Sequence, residues 1–130
     1  MEIGRTAKME TVVDDTNIAK SLASGDLEVF APPSMIALME HAAAACVAPL
    51  LEEGQGTVGT RVEVEHTSAT PMGMKVTAYA QITAWEGKRI EFKVWAEDKC
   101  GPIGQGTHTR AVINNEKFLQ RTNGKRAPKA

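Results

Sequence analysis

One long apolar run constrains the fold more than any other feature of this sequence. The fourteen residues from Met35 to Ala48 are almost all apolar or alanine. A helix that is apolar nearly all round is buried, because it has no polar face to turn toward water. The run is shorter than the roughly 20 residues that cross a membrane. We therefore expect the rest of the chain to wrap around this helix.

The flanking residues predict where this helix begins and ends. Pro32 and Pro33 mark the start, because the first helical turn does not need the N–H that proline lacks. Ser34 is predicted to help cap that start. Pro49 is predicted to end or kink the helix, and Gly54 closes the segment.

After Gly56 the apolar period changes from that of a helix to that of a strand. The alternation predicts strands over residues 57–66, 74–85, 89–97 and about 105–114, with a first strand in 9–19 and a loop over 21–31. Short turns join the later strands, which makes them antiparallel neighbours. A chain of 130 residues suits one domain. The prediction is a single α+β domain, 1–130, with an antiparallel sheet of about five strands around one long helix.

The alternation also predicts which side chains face the helix. In the strand over 57–66 the inward set is Val58, Thr60, Val62, Val64 and His66. In the last strand the more apolar set is Thr107, Thr109, Ala111 and Ile113. That choice places His108 and Arg110 on the other side, which we interpret as a solvated or interface face.

Two ionisable residues interrupt apolar faces. Glu40 lies between Ile36 and Ala44 on one helix stripe, and His66 ends the inward set of the first strand after the helix. A buried carboxylate finds a partner or shifts its pKa. The structural interpretation is a Glu40 paired with a basic group and a half-exposed His66. The functional interpretation is that both converge in one cleft for acid–base or nucleophilic chemistry.

Charge and cysteine content exclude several classes of protein. A formal net charge of -1 gives no basic field for nucleic acid or an anionic membrane. Cys46 and Cys100 match no metal pattern and are typical of reduced cytoplasmic thiols. The histidines show no metal spacing, so neither a metal nor a cofactor is predicted. Residues 119–130 are predicted to be a flexible basic tail, either a frayed terminus or a contact to a phosphate-bearing ligand.

Four motifs carry a resemblance to a known family: "ALMEH", "TVGT", "HTSATPMG" and "GTHTRAVI". Over about residues 28–118 the chain resembles the fluoroacetyl-CoA thioesterase branch of the hotdog-fold acyl-CoA thioesterases. The resemblance implies a hotdog fold and a homodimer, or a tetramer, whose sheets join side by side with active sites at the interface. It places the catalytic glutamate at Glu40, the catalytic histidine at His66 and a glycine near the acyl group at Gly59.

The sequence departs from that family at one catalytic position. Pro32 stands where the family has a threonine, and Ser34 is the nearby hydroxyl that could replace it. The aromatic lid of the fluoroacetyl enzyme is also missing, since Ala23 and Asp26 stand there. Within the family pattern, the residues expected to contact substrate are Pro32, Ser34, Gly59, Thr60 and Arg110.

The resulting prediction is a cytoplasmic enzyme that hydrolyses a small or medium acyl-CoA to the free acid and CoA. Fluoroacetyl-CoA itself is expected to be a poor substrate. The alternative is a dimer that binds an acyl thioester without cleaving it, because proline has replaced the threonine. A hotdog hydratase ranks lower, since no aspartate/histidine pair is placed for water addition.

Overall fold

A computed structural model describes residues 2–126 of the chain. Seven main elements follow one another: β1 (Thr6–Val12), α1 (Pro32–Val47), β2 (Gln55–His66), β3 (Lys75–Glu86), β4 (Arg89–Asp98), β5 (Gly101–Asn114) and α2 (Asn115–Asn123). Short 3-10 helices follow α1 at Ala48–Leu50 and α2 at Gly124–Arg126.

The five strands form one antiparallel sheet in the order β1-β3-β4-β5-β2. β2 follows α1 in the chain but lies at the far edge of the sheet, where its described partner is β5. The predicted sheet of about five strands around one long helix is confirmed. Within residues 2–126, this strand order leaves β2, twelve residues long, with one unpaired edge.

The apolar face of helix α1 packs on one face of the sheet, chiefly against β3 and β1. Its buried residues are Met35, Leu38, Met39, Ala42, Ala43, Cys46 and Val47. Together with the 3-10 turn, the helical stretch Pro32–Leu50 has 19 residues and is long and apolar enough to cross a membrane by length and composition alone. Its packing against the sheet is that of a core helix. The apolar helical stretch is therefore longer than the fourteen residues from which a length too short for a membrane was predicted, and the predicted buried helix is confirmed.

The helix begins at Pro32, as predicted, but Ser34 does not cap it. The N-cap residue is Ala31, with extended backbone and no side-chain capping bond. The prolines lack an N–H, the Ala31 N–H donates to Asn17 O at 3.0 Å, and the Met35 N–H donates to Ala31 O at 3.0 Å. In the first turn of the helix, the backbone N–H that remains without an acceptor among the described residues is therefore that of Ser34.

The first strand lies earlier than predicted and ends at Val12 rather than Ala19. The reason is a turn after Val12 in which polar side chains bond the backbone and so compete with the hydrogen-bond ladder between β1 and β3. Asp14 Oδ1 accepts from the Thr16 N–H at 2.8 Å, and Asn17 Oδ1 accepts from the Asp14 N–H at 2.9 Å.

A bulge changes which residues of β2 face the helix. Gly59 lies opposite Arg110 and Arg61 opposite Thr109, so Thr60 is an extra residue without a partner. Before the bulge, Gly59 is the inward position; after it, Val64 packs against the core. The predicted inward placement of Val58 and Thr60 was wrong for this reason.

The last strand faces the opposite way from the prediction. Its buried or inward set is Gly104, Gly106, His108, Arg110 and Val112. The apolar side chains of Met35 and Val64 occupy the space above the two glycines, where an added Cβ would collide with them. Small and polar residues therefore face the interior, and the more apolar threonine set faces outward.

The chain after β5 is helical over residues where a flexible tail was predicted. Asn114 caps α2 by accepting from the Lys117 N–H at 3.0 Å, and the Asn115 N–H donates to Gly54 O at 2.9 Å. Residues 119–126 belong to α2 and the 3-10 turn after it. The remainder of the predicted tail, residues 127–130, lies outside the described residues.

Candidate active site

Glu40 approaches the sheet at the one inward position of β2 that has no side chain. A Cβ built on Gly59 would lie 2.7 Å from Glu40 Oε2 and 3.1 Å from His108 Cε1. The glycine thus makes room for the carboxylate rather than for a turn. The Glu40 side chain remains 41% exposed, so a substrate can reach it.

Arg110 fixes the carboxylate from the β5 side. Its Nη1 lies 3.6 Å from Glu40 Oε2, and its side chain is 9% exposed. Two more contacts hold the guanidinium: Nε donates to Thr57 Oγ1 at 2.9 Å, and Nη2 donates to Thr57 O at 3.0 Å. Burial lowers the pKa of Arg110, while Glu40 opposes that shift. The predicted pairing of Glu40 with a basic group is present.

His108 completes this cluster and is almost fully buried. Its Nδ1 lies 2.7 Å from Arg61 O, and its Nε2 lies 3.1 Å from Arg110 Nη1. Burial lowers the pKa of His108, and the cation of Arg110 lowers it further, against opposing effects of the Arg61 carbonyl and Glu40. The ring is therefore neutral at pH 7.

His66 lies on the same inner face but at the other end of β2. It pairs with Gly104, whose Cβ direction points at the Met35 side chain. Burial lowers the pKa of His66, opposed by a backbone hydrogen bond with Ser68. Its Nε2 is buried without a hydrogen-bond partner among residues 2–126. An unsatisfied buried ring nitrogen needs an explanation, because leaving it unpaired costs stability.

Glu40 and His66 do not meet within one copy of the chain. Glu40 Oε2 lies beside Gly59, and His66 is seven residues further along the same strand. At about 3.3 Å per residue, the two positions are roughly 20 Å apart. Both side chains lie on the helix side of the sheet, but the structure does not bring them together within one copy of the chain, and their convergence in one cleft stays a prediction.

The other predicted contact residues lie at different places around α1. Pro32 opens the helix, eight residues before Glu40. Ser34 is six residues before Glu40, about 120° round the helix, and lines a cleft of about 250 Å³ with His41 and Thr11 on the β1 side. Its hydroxyl therefore does not lie beside Glu40 of the same copy. Thr60, at the bulge, is exposed and donates to Thr109 O at 3.2 Å.

Metal-ligating side chains do not gather in the described part of the chain. No group of three or more His, Cys, Asp or Glu with suitable geometry occurs among residues 2–126. The expectation that neither a metal nor a cofactor takes part stays a prediction.

Comparison with known proteins identifies the family. The sequence model described as "FlK: Fluoroacetyl-CoA-specific thioesterase" matches residues 13–116, which is most of the chain. The chain belongs to the fluoroacetyl-CoA-specific thioesterase family. A curated fluoroacetyl-CoA thioesterase of Streptantibioticus cattleyicolor is 50% identical over 91 residues, which are 70% of this chain and 66% of that protein.

Solved structures agree with this assignment. The fluoroacetyl-CoA thioesterase FlK superposes with a TM-score of 0.91 at 38% identity, over 98% of each chain. A hot-dog-like protein of Thermanaerovibrio acidaminovorans superposes with a TM-score of 0.89 at 23% identity, over 98% of this chain and 94% of that one, and supports the fold alone. The predicted hotdog fold and the predicted class, a thioester hydrolase, are confirmed.

Sequence reasoning missed the buried cluster of His108 and Thr57 around Arg110. The misleading signal was the apolar character of the threonine set on β5. A better signal was present in Gly104 and Gly106, two glycines at the same parity as His108. Glycine at alternate strand positions indicates a close approach by other atoms, which marks that face as the interior.

Proposed function

We propose that this thioesterase hydrolyses a small or medium acyl-CoA at a site shared by two copies of the chain. In this proposal Glu40 comes from one copy and His66 from its partner. The observation that carries it is the contrast between a half-exposed carboxylate, held beside Gly59, and a distant buried ring nitrogen that has no hydrogen-bond partner among residues 2–126.

The unpaired edge of β2 supplies the geometry for such a dimer. Two antiparallel β2 strands related by a two-fold axis at Glu63 would place Val62 beside Val64 of the partner on the inner face. They would also place Arg61 beside Glu65 of the partner on the outer face, where opposite charges attract. The extra residue of the bulge then sets Gly59 and Thr60 together opposite His66 of the partner.

The chemistry follows from the states of the two groups. Glu40 either removes a proton from a water that attacks the thioester carbonyl carbon, or attacks that carbon itself to form an anhydride that water then hydrolyses to regenerate the carboxylate. In both routes the C–S bond breaks and its electron pair leaves with the CoA sulfur. In the first route the proton taken by Glu40 passes through the neutral ring of His66 to the leaving thiolate. In the second route His66 takes the proton from the water that cleaves the anhydride, and that proton neutralises the CoA thiolate. The backbone N–H of Ser34, which is free in the first turn of α1, donates to the oxyanion that forms on the thioester carbonyl.

Three further aspects of the proposal concern substrate, assembly and location. Asp26, at the family's aromatic lid position, is exposed and gives no aromatic cover, which supports a broader acyl preference than fluoroacetyl-CoA. Substrate contacts are assigned to Pro32, Gly59, Thr60 and Arg110. We propose a dimer, which can associate further to a tetramer, in the cytoplasm; the free state of Cys46 and Cys100 supports that compartment. Membership of a thioesterase family supports hydrolysis over the alternative of a binder without turnover.

The test is hydrolysis of a panel of acyl-CoA thioesters of increasing length, with thiol release as the readout. We expect turnover of short and medium chains and a loss of about 100-fold or more for Glu40→Gln, in line with typical acid–base contributions. Tight binding of a non-hydrolysable CoA analogue without turnover would favour the binder. An unchanged rate in Glu40→Gln would refute the assigned role of the carboxylate.

A further inference from the structure

We propose that His108 is a positioning residue that holds Arg110 against Glu40. The inference rests on the role of Glu40 proposed above and adds a residue to it. His108 is 2% exposed and forms one hydrogen bond at each ring nitrogen: Nδ1 donates and Nε2 accepts. One bond reaches the backbone of β2 next to the bulge, and the other reaches the guanidinium beside the carboxylate.

The donors and acceptors fix the state of the ring. A guanidinium carries only N–H donors, so Nε2 of His108 must be the acceptor of the 3.1 Å contact with Arg110 Nη1. The Arg61 carbonyl is only an acceptor, so Nδ1 must carry the proton of the 2.7 Å contact. His108 is thus a neutral ring with its proton on Nδ1, and protonation of Nε2 would break the bond to Arg110.

The two bonds act on the two groups that surround Glu40. Nη1 of Arg110 is the atom shared by His108 Nε2 at 3.1 Å and Glu40 Oε2 at 3.6 Å. The Arg61 carbonyl follows the bulge that brings Gly59 under the carboxylate. Phe92 stacks on the imidazole with a centroid distance of 6.0 Å and so restricts its orientation. His108 therefore sets where the guanidinium, and through it the carboxylate, lies.

Two amide substitutions separate the two bonds. In His108→Gln the side-chain oxygen can reach the place of Nε2 and accept from Arg110, whereas in His108→Asn the amide N–H₂ can reach the place of Nδ1 and donate to Arg61 O. We expect His108→Gln to retain kcat within about threefold. We expect His108→Asn and His108→Phe to lose about 30-fold in kcat with KM within about threefold, the size of effect that misplacement of a catalytic group produces.

The melting temperature of each variant separates positioning from folding. All three variants are expected to have a lower melting temperature than the wild type. The decrease is expected to be similar in His108→Asn and His108→Gln, although their kcat values differ. A core control, Ile82→Val, is expected to lower the melting temperature without changing kcat. If kcat follows the melting temperature across the series, or if His108→Phe keeps full kcat, the positioning role is wrong.

Glu40→Gln in the same assay distinguishes this inference from the proposed function. If Glu40→Gln is inactive while all His108 variants keep their kcat, only the positioning role fails. If Glu40→Gln is active, the assigned role of Glu40 fails, and the inference about His108 fails with it.

Discussion

The two ends of β2 carry the two proposed catalytic groups in opposite states. At the Gly59 end, the Glu40 carboxylate is bordered by a guanidinium whose hydrogen bonds run to Thr57 and His108. At the His66 end, the ring nitrogen Nε2 is buried and has no partner among residues 2–126. One end is preorganised within the chain, and the other is not.

In the proposed function, each copy therefore holds one half of the site complete and the other half incomplete. A buried unpaired nitrogen costs free energy in an isolated copy, and a group from elsewhere can recover it. The proposed antiparallel β2–β2 dimer would join the complete half of one copy to the incomplete half of the other. The asymmetry between the ends therefore supports the proposal of a site shared across a two-fold axis.

Among the changes that test the contrast between the two ends of β2, the largest effect is expected from filling the space at the Gly59 end. Gly59→Ala would place a methyl group 2.7 Å from Glu40 Oε2, so the carboxylate must move away from its position beside Arg110. We expect kcat to fall about 100-fold, because small displacements of catalytic groups are costly. Steady-state hydrolysis of the preferred acyl-CoA measures it.

The control for that variant is Gly124→Ala, whose added Cβ meets nothing within 4 Å. It is expected to hydrolyse substrate at the wild-type rate. Activity of Gly59→Ala equal to that of Gly124→Ala would mean that the close approach of Glu40 to the glycine has no part in catalysis.

A smaller effect is expected from reversing charge on the outer face of β2. Arg61→Glu would set like charges beside Glu65 of the partner in the proposed register, twice per dimer. We expect the dimer Kd to rise about tenfold, and the double variant Arg61→Glu with Glu65→Arg to restore it. Sedimentation equilibrium measures both.

Weaker dimerisation of Arg61→Glu has an alternative explanation, which is the loss of the ion pair that Arg61 forms within one copy. Arg61 Nη2 also lies 2.7 Å from Glu63 Oε2, but both side chains are well exposed. Glu63→Gln removes that pair, and in the proposed register it also removes the like-charge contact between the two Glu63 side chains at the axis, so Kd is expected to fall and not to rise. Failure of the double variant to restore dimerisation would rule out the register with its axis at Glu63.

The smallest effect is a pH dependence of stability from the two buried histidines. The pKa values of His66 and His108 lie below their ordinary value of 6.5, mainly because of burial. The unfolded chain therefore binds more protons than the folded one just below that pH. Stability is full above pH 6.5 and declines as the pH falls from there toward the folded-state values.

Thermal melts between pH 8 and pH 5 test this dependence. We expect the melting temperature to be level at the alkaline end and to fall by several degrees toward the acid end, less steeply in His108→Gln. Exposed His41 provides the control, and His41→Gln should keep the wild-type slope. A melting temperature that rises on acidification would contradict the lowered pKa values of the two buried rings.

The sequence predicted the elements of the fold well because their signals are local. The run from Met35 to Ala48 required a buried helix, and the alternation of Ile90, Phe92, Val94 and Ala96 placed β4 correctly. Glu40 stood out because a carboxylate in an apolar stripe is rare. These features depend on the residues of one element alone.

The parts that sequence did not predict depend on contacts between elements. The extra Thr60 in β2 reverses the facing of the strand, and only its pairing with β5 shows it. His108 and Arg110 face inward because Thr57, Arg61 and Glu40 satisfy them, which overrides the polar character that suggested an exposed face. The separation of Glu40 from His66 likewise follows from how α1 crosses the sheet.

The most direct test of a shared site is complementation between two inactive variants. Glu40→Gln and His66→Asn are purified separately, mixed in equal amounts and allowed to exchange subunits. Random exchange makes half of the dimers mixed, and each mixed dimer has one site with both an intact Glu40 and an intact His66. A shared site predicts recovery of about one quarter of wild-type kcat per protomer in the exchanged mixture. An exchanged mixture that stays as inactive as its parents would contradict it.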